Sequence, residues 1–242
     1  MAEPWRTGIV TKIINETPST RRFWIEVPDL ISFDFKPGQF VTLDLPIHEK
    51  KNKRWRSYSI ASSPDGTNSF ELIIVRLEGG LGTAYLFDEI MEGSELLLRG
   101  PQGVFVLPEN LDRDIFLICT GTGIAPFRSM VQHIHRYNIP HRNLYLLFGC
   151  RYVCDCLYGP ELKALEEDLP GFNYLPTFSR EPAENPLVRS GYVHSLYQQI
   201  LETEKRPAYF YLCGWKEMIN EAKQRILELG YDRKDIHLEL YG

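Results

Sequence analysis

The sequence predicts two domains of different class in its 242 residues: an antiparallel β-barrel, then an α/β domain built on a doubly wound parallel sheet. Three observations carry this. In the first part, short runs rich in β-branched and aromatic residues recur between Pro, Gly, Asn and Asp, as strands separated by turns do. In the second part, nearly continuous apolar runs alternate with helical periodicity, as in a parallel sheet buried on both faces. Between them, at LPENLDR, the pattern changes, which gives domains of 1–107 and 108–242.

The elements follow in order. GIVTKIINET, RRFWIEV, QFVTLDLP, RSYSIAS, FELIIVRL and ELLLRG read as barrel strands, interrupted by a single helix over about 83–91 with Thr83 as its N-cap. IFLIC is a buried strand that runs into a Gly-rich turn and a helix. That helix shows Phe127, Met130, Val131 and Ile134 at i, i+3, i+4, i+7, one apolar stripe. LYLLFGC precedes a helix over 160–167, FNYLPTF leads to a helix over 194–202, and AYFYLCG to one over 216–229. Met218, Ile219, Ala222, Ile226 and Leu229 form the stripe of that last helix, and IHLELY is the final strand.

Composition narrows the function classes. Hydrophobic content of 43% and charged content of 24% are those of a soluble globular protein. No apolar run approaches the roughly 18 residues that span a bilayer. MAEPWRTG lacks the apolar core of a signal peptide, so a cytoplasmic protein with no membrane partner is expected. A net charge of −5 argues against nucleic acid as a partner. Five cysteines are no disulfide framework in a chain this long. Cys119 and Cys213 end apolar runs, whereas Cys150, Cys154 and Cys156 are spaced C-x3-C-x-C. A metal or iron–sulfur site would want a fourth ligand that the sequence does not show, so no metal is expected.

Three motifs carry chemistry. In RSYSIASSP, side chains alternate along a strand, so Arg56, Tyr58 and residue 60 share a face. A guanidinium, an aromatic plane and a hydroxyl offered together suit a phosphate, a flat heteroaromatic ring and a ring nitrogen, and a flavin nucleotide has all three. In GGLGTAYLFDEI, a Gly-rich helix start offers free amides to a pyrophosphate, or is simply a capped helix. In TGTGIAPFRSM, Gly121 and Gly123 follow a buried strand and open a helix, and Pro126 sits where a missing N–H is tolerated. This is G-x-G-x-x-P, not the usual G-x-G-x-x-G.

RSYSIASSP, LGTAYL, GTGIAPFRS, FSRE, CGWKEM and the terminal ELY, in this order and spacing, resemble the ferredoxin–NADP⁺ reductase family over nearly the whole chain. The resemblance implies an FAD-binding barrel, an NAD(P)H-binding α/β domain, hydride transfer between nicotinamide and flavin, and single electrons leaving to a protein carrier. Residue by residue, it implies that Arg56 pairs with FAD phosphate, Tyr58 stacks on the isoalloxazine, Ser59 bonds near flavin N5, and Ser57 lies in the same flavin-binding run. It also implies that the Ile73, Ile74 and Val75 backbone runs beside the cofactor. Gly80, Gly82 and Thr83 are assigned to its pyrophosphate, and Thr120 and Tyr241 to FAD as well, Tyr241 covering the flavin where nicotinamide must sit. Thr122, Gly123 and Ile124 receive the pyridine nucleotide's pyrophosphate. Cys213 and Gly214 lie by the nicotinamide, and Glu239 is an acidic residue near it; Ser59, Cys213 and Glu239 are the implied catalytic set. Unlike plant-type members, the chain continues past the terminal aromatic to Gly242.

The choice of nucleotide turns on one phosphate. A 2′-phosphate wants forked Arg contacts, and Arg151, Arg180 and Arg189 all follow strands of the second domain. Ser179 and Arg180 match the pair that the family uses for NADPH, so NADP(H) is expected. The basic run HEKKNKRWR is either a solvated loop or a docking surface for an acidic ferredoxin or flavodoxin. The rival functions are a reductase serving an oxygenase, a cytochrome or free flavin, and an electron-transfer subunit of a larger complex. A monomer or weak dimer is expected.

Overall fold

The computed structural model describes residues 3–182, 188–203 and 206–241, so Gly242 lies outside the described residues. Strands β1 (Trp5–Thr17), β2 (Thr20–Glu26), β3 (Phe40–Asp44), β4 (Trp55–Ser59), β5 (Ser69–Val75) and β6 (Glu95–Gln102) pair antiparallel in the order β4-β3-β6-β1-β2-β5. Period-2 patterning sets which face is buried: Leu96 and Leu98 of β6 point inward beside Phe23, Ile25, Val41 and Leu43, while Glu95 and Leu97 point out. The ends of the sheet return to each other at one place. Ile60 bridges Leu72, and Ala61 N–H donates to Glu71 O at 2.8 Å. This closure makes the expected barrel.

Helix α1 (Leu81–Asp88) starts two residues before the expected 83, with Gly80 as its N-cap. Thr83 is therefore inside the first turn rather than capping it. Its hydroxyl faces back and accepts the Leu77 N–H at 3.1 Å, which holds the incoming chain.

The second half is the parallel sheet that the apolar runs predict. Strands β7 (Asp114–Thr120), β8 (Leu144–Cys150), β9 (Phe172–Phe178), β10 (Ala208–Gly214) and β11 (Ile236–Leu240) lie in the order β11-β10-β7-β8-β9. The order reverses between β7 and β10, which is where doubly wound sheets bind ligands. The helices are α2 (Ala125–Arg136), α3 (Gly159–Asp168), α4 (Val193–Thr203) and α5 (Lys216–Glu228). Leu196 and Val193 of α4 and Met218, Ile219, Ala222 and Ile226 of α5 pack with Phe116, Phe210 and Leu212 in one core. Among the described residues, no helix is long and apolar enough to cross a membrane.

Contacts divide the chain into two units that do not follow the sequence order. One is Met1–Val106 with Ala125–Arg136, and the other is Leu107–Ile124 with Tyr137–Gly242. Helix α2 thus belongs to the barrel's unit. The reason is a buried ion network. Glu71 of β5, 2% exposed, receives Arg22 Nε at 2.6 Å and Arg128 Nη1 of α2 at 3.0 Å. Arg128 Nη1 also lies 2.9 Å from Ala61 O. Two further bonds fix the helix: Ser129 Oγ to Ser62 O at 2.6 Å, and Ser63 N–H to Gln132 Oε1 at 3.2 Å. Removing one partner of a buried pair leaves an uncompensated charge, at about 3–5 kcal/mol. Glu71→Gln should therefore lower unfolding free energy by about 3 kcal/mol in urea titration; an unmoved midpoint would show that the network contributes nothing net.

Candidate functional site

Each unit holds a candidate ligand site. In the barrel, the seam between β4 and β5 is joined at Ile60–Leu72 and Ala61–Glu71. Continued in the same antiparallel register, the ladder would next pair Ser59 with Ile73, Tyr58 with Ile74 and Ser57 with Val75. Among the described residues no such pairs form: β4 pairs with β3 and β5 with β2. The seam opens at the six residues assigned from sequence to the flavin. Past Leu72 the strands β4 and β5 thus run on without pairing to each other, and the gap between them has the form of a slot for a flat ligand.

Tyr58 and Arg56 occupy alternate positions of β4, Tyr58 half-buried against the barrel core. Burial pushes the Tyr58 hydroxyl up to about 12, against the opposing pull of the Arg56 guanidinium. The ring is thus a neutral, apolar plane with a protonated tip. The expected hydroxyl does not share this face. Position 60 is an isoleucine, and Ser57 turns to the other side, where its Oγ lies 3.1 Å from Thr42 Oγ1. Ser59 is buried. Alternation puts Ser57 and Ser59 opposite Arg56 and Tyr58, so a ligand meets them through their backbone edge.

The phosphate end is built from α1 and Arg56. A Cβ at Gly82 would stand 3.0 Å from Arg56 Cγ and 3.2 Å from Arg56 Nε. The Arg56 stem therefore lies against the start of the helix, and a side chain at position 82 would push it back by a few tenths of an ångström. The first amides of α1 have no intrahelical acceptor and add the positive end of the helix dipole. A cavity of about 330 Å³ opens at the start of the helix, lined by Arg76, Leu77, Glu78, Gly79, Gly80, Leu81 and Ala84, where Arg76 is paired with Asp88 at 2.8 Å. The Arg56 guanidinium and the free amides of α1 together fit a diphosphate. The residues present fit FAD.

The second site sits at the C-terminal edge of the parallel sheet. After β7 the chain forms a tight turn, Gly121–Ile124, that leads into α2. A Cβ at Gly123 would meet Cys213 O at 2.5 Å and Gly214 N at 2.8 Å, so the turn lies flat on the end of β10. Trp215 N–H donates to Thr120 Oγ1 at 3.3 Å, and Tyr241 N–H to Gly214 O at 3.3 Å. Cys213 pairs in register with Cys119 and Glu239. The structure therefore gathers Thr120, Gly123, Cys213, Gly214, Glu239 and Tyr241 at one end of the parallel sheet. Ile124 is buried, so only its backbone can reach a ligand, and Thr122 lies half-exposed in the turn. Cys213 is fully buried; burial, Glu239 and Cys119 push its thiol well up, so it stays neutral.

Farther along the same edge, Ser179 N–H donates to Cys150 O, Arg180 N–H to Arg151 O and Phe178 N–H to Arg189 O, each at 2.9 Å. These bonds bring Arg151, Arg180 and Arg189 to one corner, all exposed. Sequence reasoning missed Trp215, which stands 56% exposed right after Gly214; a tryptophan between a strand end and a helix was the available signal. It also missed Arg76 at the cavity, for which the sequence carries no signal.

The comparisons agree with this geometry. The family model described as "Oxidoreductase FAD-binding domain" matches residues 7–107, and "Oxidoreductase NAD-binding domain" matches 117–224. Ferredoxin–NADP reductase B of Sorangium cellulosum is 34% identical over 99% of this chain and 98% of its own length. The phenol hydroxylase P5 protein of Acinetobacter pittii is 30% identical over 97% of this chain, which spans 64% of that relative. Among solved structures, a ferredoxin NADP⁺ reductase from Neisseria gonorrhoeae with bound FAD and NADP has 28% identity and a TM-score of 0.81, covering 98% of both chains. The Amycolatopsis cytochrome P450 reductase GcoB has 27% identity and a TM-score of 0.85, over 99% of this chain and 71% of that one.

Two outcomes follow from these contacts. Gly123→Ala forces a methyl into a backbone carbonyl, so thermal unfolding should begin earlier, with a loss of about 1–3 kcal/mol. An unchanged melting curve would show that the turn yields freely. Folded Tyr58 keeps its proton to about 12, whereas the unfolded chain releases it near 10.0. Between those values the folded state binds more protons, so this contribution to stability is whole below 10.0 and is lost as pH rises through about 12. Tyr58→Phe should flatten the alkaline slope of the urea midpoint of the FAD-free protein by one proton; an identical slope would contradict the assignment.

Proposed function

We propose a defined electron route from one premise: the chain belongs to the family of FAD- and NAD-binding oxidoreductases that includes the ferredoxin–NADP reductases. The route runs from NADPH through bound FAD to a one-electron protein carrier, a ferredoxin or flavodoxin. The observation that carries it is the open seam, whose edges are the six residues assigned to the flavin. Bound FAD supplies the exchange of an electron pair with nicotinamide for single electrons.

The protein's part is binding, orientation and charge. Arg56 and the α1 amides from Gly80, Gly82 and Thr83 hold the diphosphate. Tyr58 offers a neutral plane for the ring, and the edges at Ser57–Ser59 and Ile73–Val75 offer backbone donors and acceptors. On the nucleotide side, the amides of Thr122, Gly123 and Ile124 take the pyrophosphate. Cys213 and Gly214 set the floor for nicotinamide, with Glu239 and Thr120 beside them, and the ring of Tyr241 holds that place until nicotinamide displaces it. Arg151, Ser179, Arg180 and Arg189 form the 2′-phosphate corner. We place the functional boundary between 107 and 108 and read the protein as cytoplasmic, acting as a monomer or weak dimer.

The basic run supports an acidic carrier. Lys50, Lys51 and Lys53 are exposed on the loop that leads into β4, beside the half-exposed Trp55. A second reading, a reductase component for an oxygenase, is favoured by relatives of that printed description, such as the glycine betaine monooxygenase reductase subunit of Pseudomonas aeruginosa, 29% identical. The chain spans 63% of that relative.

Anaerobic titration of the purified yellow protein tests the route. One equivalent of NADPH should bleach the flavin, and added ferredoxin should restore it; a colourless protein that takes up no FAD overturns the reading. Arg180→Ala should raise KM for NADPH at least tenfold, by loss of a charge-assisted contact, with NADH unaffected. Tyr241→Ala should tighten NADP⁺ and slow turnover, and unchanged affinity would remove its assigned role. Neutralising Lys50, Lys51 and Lys53 should abolish the salt dependence of ferredoxin reduction; a rate already insensitive to salt makes the run a solvated loop.

A further inference from the structure

The outer face of the barrel carries an aromatic patch that neither ligand site uses, and strand register builds it. Arg99 of β6 pairs with Trp5 of β1 on one side and with Thr42 of β3 on the other. Asp44, two residues along β3, pairs with Trp55 of β4 and Leu97 of β6. Alternation turns Trp5, Trp55, Leu97 and Arg99 to one face. The two indoles reach each other across the strands between them, with ring centroids 5.6 Å apart and planes tilted by 44°. The Arg99 guanidinium carbon lies 5.0 Å from the Trp5 ring centre and 5.2 Å from that of Trp55. Trp55 is 38% exposed and Leu97 41%. Large apolar groups left side by side in water mark a surface that another molecule covers.

The charge on this face is positive and unmatched. Among the described residues no carboxylate pairs with Arg99, and its Nε, shut off from water, finds no hydrogen-bond acceptor. Asp44 beneath the patch is already taken by Arg54 Nε at 2.7 Å. The loop that leads into Trp55 exposes Lys50, Lys51 and Lys53, with Glu49 the one carboxylate among them.

We propose that the Trp5–Arg99–Trp55 stack is the centre of the docking surface for an acidic one-electron carrier protein, with the lysine loop as its rim. The proposal rests on the electron route given above. Tryptophan and arginine at the centre with lysines outside is the composition of a protein interface whose centre carries the affinity and whose rim steers. A flat small molecule is not what the indoles take, because Arg99 already fills the space between them. A second copy of this chain is opposed as well: a two-fold contact would set Arg99 and the lysines against themselves. A carboxylate-bearing partner matches every one of these charges. The stack is formed before the partner arrives, so little side-chain freedom is lost on docking. Trp55 directly precedes Arg56 and lies on the opposite side of β4 from Tyr58. A carrier seated there rests against the strand that forms one edge of the flavin slot.

The test uses the FAD-loaded protein with NADPH as donor and three acceptors: an acidic ferredoxin, a flavodoxin and ferricyanide. Trp55→Ala and Trp5→Ala should each raise KM for the carrier at least tenfold, with FAD content and ferricyanide turnover unchanged. The rise should persist between ~20 and ~300 mM salt, because it is not made by exposed charges, whereas the effect of neutralising the three lysines should fade across that range. Trp55→Phe should restore most of the affinity. Arg99→Lys keeps the charge but loses the stacking plane, and should raise KM severalfold. Carrier KM unmoved in both alanine variants would overturn the proposal, and so would ferricyanide turnover falling in step with carrier turnover. A wild-type dimer that Trp55→Ala dissociates in gel filtration, or anionic lipid vesicles that bind the wild type and not Trp55→Ala, would give the patch to a different occupant and overturn it too. A wild type that reduces ferricyanide but neither carrier would bring down the carrier reading and the proposal with it, recognisable because no variant is needed to see it.

Discussion

Glu71 joins three elements of the first unit at one buried point, and the flavin slot depends on where that point lies. Its backbone carbonyl takes the Ala61 N–H, which makes it part of the short closure of the barrel. Its carboxylate takes Arg22 from β2 and Arg128 from α2. One residue farther along β5 the seam is still closed, at Leu72; from Ile73 onward it is open. A buried carboxylate is costly in an apolar core unless its charge is matched and its lone pairs are filled. Here both conditions are met by groups from opposite sides of the seam's closed end. The cost of breaking that arrangement fixes where the barrel stops being a barrel.

The second unit solves a similar problem with backbone alone. Its strand order reverses between β7 and β10, so the ends of those two strands are not covered by a crossover. The turn at Gly121–Ile124 fills part of that gap by lying on Cys213 and Gly214 at a distance that no Cβ permits. In both units a glycine sits where another group approaches closely. At Gly82 it makes room for a guanidinium, and at Gly123 for a neighbouring strand. The same residue type serves opposite purposes: one admits a cation, the other brings amides within reach.

Much of this was legible in the sequence, for a stated reason. Strands and helices were found because their burial is periodic: Phe127, Met130, Val131 and Ile134 are all fully buried, as their spacing requires. The seam residues were assigned to the flavin through the resemblance, not through any period. What was not legible depended on partners far along the chain. That α2 packs with the barrel rests on Arg128 meeting Glu71, and a lone arginine in a helix carries no mark of a buried partner. The start of α1 was misplaced because Thr83 looks like a cap, yet its hydroxyl serves Leu77 from inside the helix. The hydroxyl expected beside Tyr58 failed on simple alternation, since Ser57 and Ser59 occupy the odd positions. C-x3-C-x-C gave no hint that its outer cysteines are half-buried while the middle one is exposed.

The electrostatics divides the labour within each site. Where a ring would lie, the titratable groups are held neutral: burial keeps the proton on Tyr58 and on Cys213 well beyond neutral pH. Where phosphates would lie, the groups are arginines that never lose their charge, Arg56 over α1 and the trio at the end of β8 and β9. Tyr58 and Cys213 therefore keep one state near pH 7. Binding energy therefore comes from fixed charges at the edges, while the ring surfaces stay apolar and constant. On the proposed route, specificity between two nucleotides that differ by one phosphate would reside at the edge, in the position of a few guanidiniums.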